Sequence, residues 1–227
     1  MKQLTCTAVV VAAGSASRMK GIDKTLAPIG GVPMILRTLE ALASAPGITD
    51  ILVVTREDLI PEVSRLCAGI SKLWAVIAGG SSRSESVSKG LQQAQGELVA
   101  IHDGARPFVT VEVIESTLAA AEEYGAAAPA IPVKDTIKIA QGARIQSTPD
   151  RATLFAVQTP QVFFRQEILK ALTFATEQGL PLTDDCSAAE AMGMTVVLTE
   201  GSEENIKITT PMDLILGEAI LKRRSES

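Results

Sequence analysis

Short runs of Val, Ile, Leu and Ala recur along this chain, separated by longer stretches in which apolar residues return every three or four positions. The runs are TAVVVAA from Thr7, DILVVT from Asp50, LWAVIA from Leu73, LVAIHD from Leu98 and AAAPAIPV from Ala126. Runs this short and this apolar suit strands buried on both faces, and their alternation with helical periodicity predicts a parallel sheet covered by helices. Residues 34–45, 61–67, 82–93 and 111–124 read as those helices, with Ile114, Leu118 and Ala121 sharing one face. Near the C-terminus Thr210 can cap a last helix, with Pro211 at its first position and Asp213 placed to close a capping box. The expectation is one α/β domain over 1–227, its mostly parallel twisted sheet covered by helices on both faces.

One stretch departs from the rhythm. Residues 133–151 alternate through Ile137, Lys138 and Ile139, turn near Gln141 and Gly142, and return through Arg144, Ile145 and Gln146, which predicts a β-hairpin arm. An isolated hairpin is marginal in water. The arm must therefore lean on its own sheet edge or on a second copy of the chain, and pattern alone leaves both open.

Composition narrows the picture. With 227 residues the chain can bury roughly 70% of the surface that its unfolded form exposes. One Trp and one Tyr leave the core to Val, Ile, Leu and Ala. A net charge of −5 argues against a general nucleic-acid or anionic-membrane binder, so a phosphate ligand must meet locally placed basic groups. Cys6, Cys67 and Cys186 have neither zinc spacing nor disulfide pairing, which suits a reducing cytoplasm. The apolar start is interrupted well before the ~20 residues a membrane span needs.

Candidate chemistry sits in loops that follow strands, because ligands of open parallel sheets bind beyond the carboxyl ends of the strands. The first loop, AAGSASRMKGIDKTL, offers Ala13 and Gly14 for close approach of an anion, Arg18 for a bidentate grip on phosphate, and Lys24 as a mobile charge on a leaving pyrophosphate. It lacks the glycine fingerprint of a dinucleotide fold and the Walker pattern. The second, AGGSSRSESVSKGL, brings Gly80 close to a flat base or ribose, Ser86 as a neutral reader of the base, and Arg83 toward phosphate; a serine-capped helix start uses the same residues. The third, IHDGARPF, places Asp103 where it can bind hydrated Mg²⁺ or a substrate hydroxyl, with Arg106 beside it. His102, the only histidine, reads as a structural hydrogen-bonding residue rather than a base.

Taken in order, AAGSASRM with Lys24, GGSSRSESVSKGL, HDGARPF, PVKDTIK, Arg151 followed by QTPQ, TDDCSAAE and NIKITTPMDL resemble the 2-C-methyl-D-erythritol 4-phosphate cytidylyltransferases over nearly the whole chain. The resemblance implies a Rossmann-like nucleotidyltransferase fold, a homodimer joined by exchanged β-arms, and transfer of CMP from CTP to methylerythritol phosphate in the non-mevalonate isoprenoid pathway. It also implies roles for individual residues. Arg18 and Lys24 would stabilise charge on the triphosphate, while Arg151 and Lys207 would grip the acceptor phosphate. Thr136 and Thr159 would help hold that substrate, with Arg151 and Thr136 supplied by the partner's arm. Asp103, Arg106 and Thr183 would surround the sugar-alcohol hydroxyls, and Gly80 and Ser86 would contact cytosine. Ala16 stands where such family members carry glycine, and the segment between Arg18 and Lys24 is one residue shorter. Read alone, the first loop is similar to that of molybdenum-cofactor guanylyltransferases, so it leaves the base open. Ribitol-5-phosphate cytidylyltransferases are nearer cousins, against which PVKDTIK and Arg151 speak. A regulatory module that binds nucleotide without turnover is the non-enzymatic alternative, and a Rossmann dehydrogenase is a further one.

Overall fold

The computed structural model describes residues 4–14 and 25–226. The first half of the chain forms β1 (Cys6–Val11), β2 (Pro28–Ile29), β3 (Val32–Pro33), α1 (Met34–Ser44), β4 (Asp50–Thr55), α2 (Ile60–Leu66), β5 (Leu73–Ala78), α3 (Arg83–Gln93), β6 (Leu98–Asp103) and α4 (Val111–Tyr124). The second half forms β7 (Ala126–Pro132), β8 (Ile139–Gln141), β9 (Arg144–Ser147), β10 (Phe155–Val157), β11 (Gln161–Phe164), α5 (Arg165–Glu177), α6 (Asp185–Ala191), β12 (Val197–Glu200) and α7 (Pro211–Glu226).

The main sheet has the order β10-β7-β11-β6-β1-β4-β5, with β12 paired to β7. From β6 to β5 every pairing is parallel, whereas β11 runs antiparallel to both β6 and β7. β6 is thus the seam between a parallel half and a mixed half. The predicted α/β class with its mainly parallel sheet is what forms, and the four early helices lie within a residue or two of their expected bounds.

Alternation along the central strands feeds two cores. Cys6, Ala8 and Val10 of β1, Ile51 and Val53 of β4, and Leu98 and Ala100 of β6 face the layer formed by α1, α2 and α4. Val9, Val54, Val99 and Ile101 face α3, α5 and α6 on the other side. Strands buried on both faces explain why their sequences are continuous apolar runs. Helix α3 lies so close to the sheet that a Cβ at Gly90 would come within 2.5 Å of a Val9 methyl. A third cluster, Ile29, Met34, Ala105, Phe108, Ile208 and Ile220, seats α7. Aromatics are few, yet Phe108 and Phe163 are the bulkiest fully buried side chains.

Local chemistry sets the helix starts. Ser82 accepts a hydrogen bond from the Glu85 amide and Thr110 from the Val113 amide. Asp184 and Ser187 form a capping box at α6. At α7, Asp213 accepts from the Thr210 amide, and the Thr210 hydroxyl accepts from the Asp213 amide, as expected. Among the described residues no helix is long and apolar enough to cross a membrane. All three cysteines are free and buried.

The predicted hairpin is present as β8 and β9, with Gly142 in the left-handed region at φ 57°. Every residue of both strands is exposed.

Candidate active site

Three loops meet at the carboxyl ends of the parallel strands. They line a cavity of about 360 Å³ with Ala13, Gly14, Thr25, Gly80, Ser82, Arg83, Ser86, Asp103 and Lys207 among its walls. The first two loops touch: a Cβ at Gly79 would stand 2.6 Å from Ala13 Cβ and 2.8 Å from Ser86 Oγ, so only glycine fits between them. Ser86 is buried with its hydroxyl fixed. It donates to the Ser82 carbonyl at 2.9 Å and accepts from the Gly80 amide at 3.0 Å, leaving one lone pair.

Asp103 is the electrostatic centre. Its carboxylate lies 2.8 Å from Lys207 Nζ, 3.6 Å from Arg83 Nε and 3.6 Å from Arg106 Nε. Burial alone would raise its pKa. The charges of Lys207, then Arg83 and Arg106, outweigh that and hold it at about 2. Arg106 is anchored by donating to the Asn205 carbonyl at 2.6 Å, and its Nε is buried without a hydrogen-bond partner.

Beneath Asp103 runs a polar chain. The Asp103 amide donates to Thr159 Oγ1 at 3.1 Å, and Thr159 Oγ1 lies 3.1 Å from His102 Nδ1. His102 Nε2 lies 3.1 Å from the Arg106 carbonyl. A carbonyl can only accept, so Nε2 carries the proton and Nδ1 accepts from Thr159. Burial lowers the His102 pKa to about 4, keeping the ring neutral. With both nitrogens engaged in the core, His102 is the structural residue that the sequence suggested.

Of the sequence candidates, Ala13, Gly14, Gly80, Ser86, Asp103 and Lys207 share the cavity. Arg106 and Thr159 stand against Asp103 rather than in the cavity wall, and the Thr159 proton is committed to His102. Thr183 is exposed on the turn before α6. Thr136 and Arg151 are exposed on the arm, where Arg151 donates to the Lys134 carbonyl at 3.0 Å. Arg18 and Lys24 lie outside the described residues. Arg83, expected to reach toward phosphate, instead gives both terminal nitrogens to Asp185 at 3.1 and 2.8 Å. Asp185 is the residue the sequence reading left without a role; its one signal was the doubled acid of TDDCSAAE.

A family model for 2-C-methyl-D-erythritol 4-phosphate cytidylyltransferase matches residues 6–223. The chain is 46% identical over 226 residues to the 2-C-methyl-D-erythritol 4-phosphate cytidylyltransferase of Desulforamulus reducens, covering 96% of each chain. It is 44% identical to the enzyme of that name from Geobacillus kaustophilus, covering 96% of this chain and 97% of the relative. Among solved structures, 4-diphosphocytidyl-2C-methyl-D-erythritol synthase from Anaerococcus prevotii superposes with a TM-score of 0.87 at 30% identity over 97% of both chains. The 2-C-methyl-D-erythritol 4-phosphate cytidylyltransferase of Thermus thermophilus gives 0.79 at 32% identity over 94% of this chain and 98% of that one.

Proposed function

The chain belongs to the 2-C-methyl-D-erythritol 4-phosphate cytidylyltransferase family, and from that premise we propose how its residues divide the work of moving CMP from CTP onto methylerythritol phosphate. The observation that carries the reading is the shared cavity, which joins the loop at Gly80 and Ser86 to the charged cluster at Asp103 and Lys207. The remaining lone pair of Ser86 can accept from the exocyclic amine of cytosine. Uracil presents a carbonyl there, which that lone pair repels.

The acceptor's phosphate monoester is already anionic at neutral pH, since its second pKa is near 6. No general base is required, in keeping with a histidine locked into the core. The task is to align two anions in line and stabilise charge on the departing pyrophosphate. Arg18 and Lys24 take the triphosphate; Lys207, with Arg151 and Thr136 from a partner's arm, takes the acceptor phosphate. Asp103 accepts from acceptor hydroxyls, Arg106 and Thr159 hold Asp103 in place, and Thr183, on the turn before α6, is assigned to the same hydroxyls.

Mg²⁺ fits this donor set through water, since both Asp103 oxygens already face cations and the triphosphate would supply the direct ligands. Asp103 is a carboxylate in the cavity wall, and no cluster of three His, Cys, Asp or Glu among the described residues forms an all-protein cage. One carboxylate, directly or through water, plus phosphate oxygens is how Mg²⁺ is commonly held. When bound it would neutralise charge on the triphosphate. The chain works as one nucleotidyltransferase domain in the cytoplasm, as a homodimer. Support for the dimer comes from Ile137, Ile139, Ile145, Phe155 and Val157, which one chain leaves exposed on and beside the arm.

Pyrophosphate release tests the reading. CTP with methylerythritol phosphate should exceed UTP or GTP with the same acceptor, and CTP with ribitol 5-phosphate, by at least about tenfold in kcat/KM. Equal turnover with UTP would remove Ser86 as the base reader, and equal turnover with ribitol 5-phosphate would remove the acceptor assignment.

A further inference from the structure

Arg83 opens α3 and Asp185 opens α6, 102 residues apart, yet their side chains form a two-bond fork. Only 1% of the Asp185 side chain is exposed. The turn that carries it is bolted to the sheet: Gln161 of β11 accepts from the Asp185 and Cys186 amides at 3.0 and 3.1 Å and donates to Asp184 at 2.8 Å. The third nitrogen of the same guanidinium faces Asp103 at 3.6 Å. One rigid planar group therefore spans two carboxylates, one at the end of β6 and one at the start of α6. Burial would weaken the charge on Arg83, and Asp185 with Asp103 more than restores it.

Charge count gives the arrangement a second consequence. Among the described residues, Arg83, Arg106 and Lys207 face Asp103 and Asp185, with Asp184 also acting on Arg83, so these charges cancel beside a cavity that must admit two anionic substrates. Without Asp185, Arg83 would be an uncommitted bidentate phosphate ligand in the cavity lining.

We propose that Arg83 is a positioning residue: pinned by Asp185, it fixes Asp103 for the acceptor and is itself kept off the triphosphate. The proposal rests on the reading of Asp103 as an acceptor-binding group. A lysine at 83 keeps the charge but cannot serve the fork and the Asp103 edge together. Arg83→Lys should therefore raise the KM for methylerythritol phosphate about tenfold and leave the KM for CTP within about twofold. Asp185→Asn should release Arg83 toward phosphates, so that pyrophosphate inhibits several-fold more strongly while the acceptor KM rises. Asp103→Asn, measured alongside, tests the underlying reading. If it leaves the acceptor KM unchanged, that reading falls and the proposal with it. If it raises that KM but Arg83→Lys does not, or Arg83→Lys raises both KM values equally, the positioning role alone is overturned. Should Arg83→Lys fail to fold, Asp185→Asn decides: unchanged pyrophosphate inhibition refutes the masking of Arg83.

Discussion

The strand-end cluster and the arm are built on opposite principles. Around Asp103, the described charged groups each face an opposite charge from the same chain, and the polar chain through Thr159 and His102 is buried. On the arm, β8 and β9 pair only with each other, and their isoleucines face water. One region is finished by its own chain; the other leaves its apolar side chains uncovered. Substrate-binding residues are proposed on both, so under that proposal one half of the acceptor site is built by its own chain and the other half would come with a second copy.

The sharpest blow to the finished region is Arg83→Met. It leaves the buried Asp185 carboxylate without its fork and should cost about 3 kcal/mol in chemical denaturation, the low end for a broken buried pair because a proton can neutralise Asp185. A loss under ~1 kcal/mol would mean that the cluster is not held together in this way.

Acid provides a second probe of the same region. The folded His102 ring takes its proton only near pH 4, whereas an exposed ring takes it near 6.5. Between those values the unfolded chain binds more protons, so stability falls as pH drops through the window, by about 3 kcal/mol in all. With a single histidine in the chain, its ring resonances can be followed by NMR without assignment. A titration midpoint near 6.5 would contradict the closed chain from Asp103 to Arg106.

For the arm, mixing variants separates the two regions directly. If arms are exchanged, each site combines Lys207 of one chain with Arg151 of the other. Lys207→Ala and Arg151→Ala homodimers should each be weak, and a refolded equal mixture should regain about a quarter of wild-type activity, since half of the dimers are mixed and each has one intact site. A mixture no better than its parents would return the arm to its own chain. The smallest effect is on stability: Ile145→Asp, at an exposed position, should change monomer stability by less than ~0.5 kcal/mol. Sedimentation of the same variant should show the dimer dissociating.

How much of this was legible beforehand follows from the same contrast. β4 and β6 match their sequence bounds because DILVVT and LVAIHD are buried on both faces and bounded by turn residues, and the edge strand β5 and helix α4 match theirs through apolar pattern and capping. The hairpin was legible through Gly142 and its alternation. β11 and β12 were not, being four residues each and, in β12, half exposed. Helix α5 buries Ile168, Ala171, Leu172 and Ala175, a proper stripe in which half the members are alanines and the apolar signal is faint. In the site, loop position found Gly80, Ser86 and Asp103. It could not find the partner of Arg83, because a contact across 102 residues exists only after folding. Resemblance, not periodicity, supplied Arg151 and Lys207.

The seam at β6 has a consequence for how such enzymes can diversify. Residues assigned to the nucleotide precede Asp103 and hang from the parallel half; those assigned to the acceptor follow it and hang from the mixed half and its arm. A new acceptor module would therefore have to replace residues after β6 while preserving the three cores that they share with the parallel half.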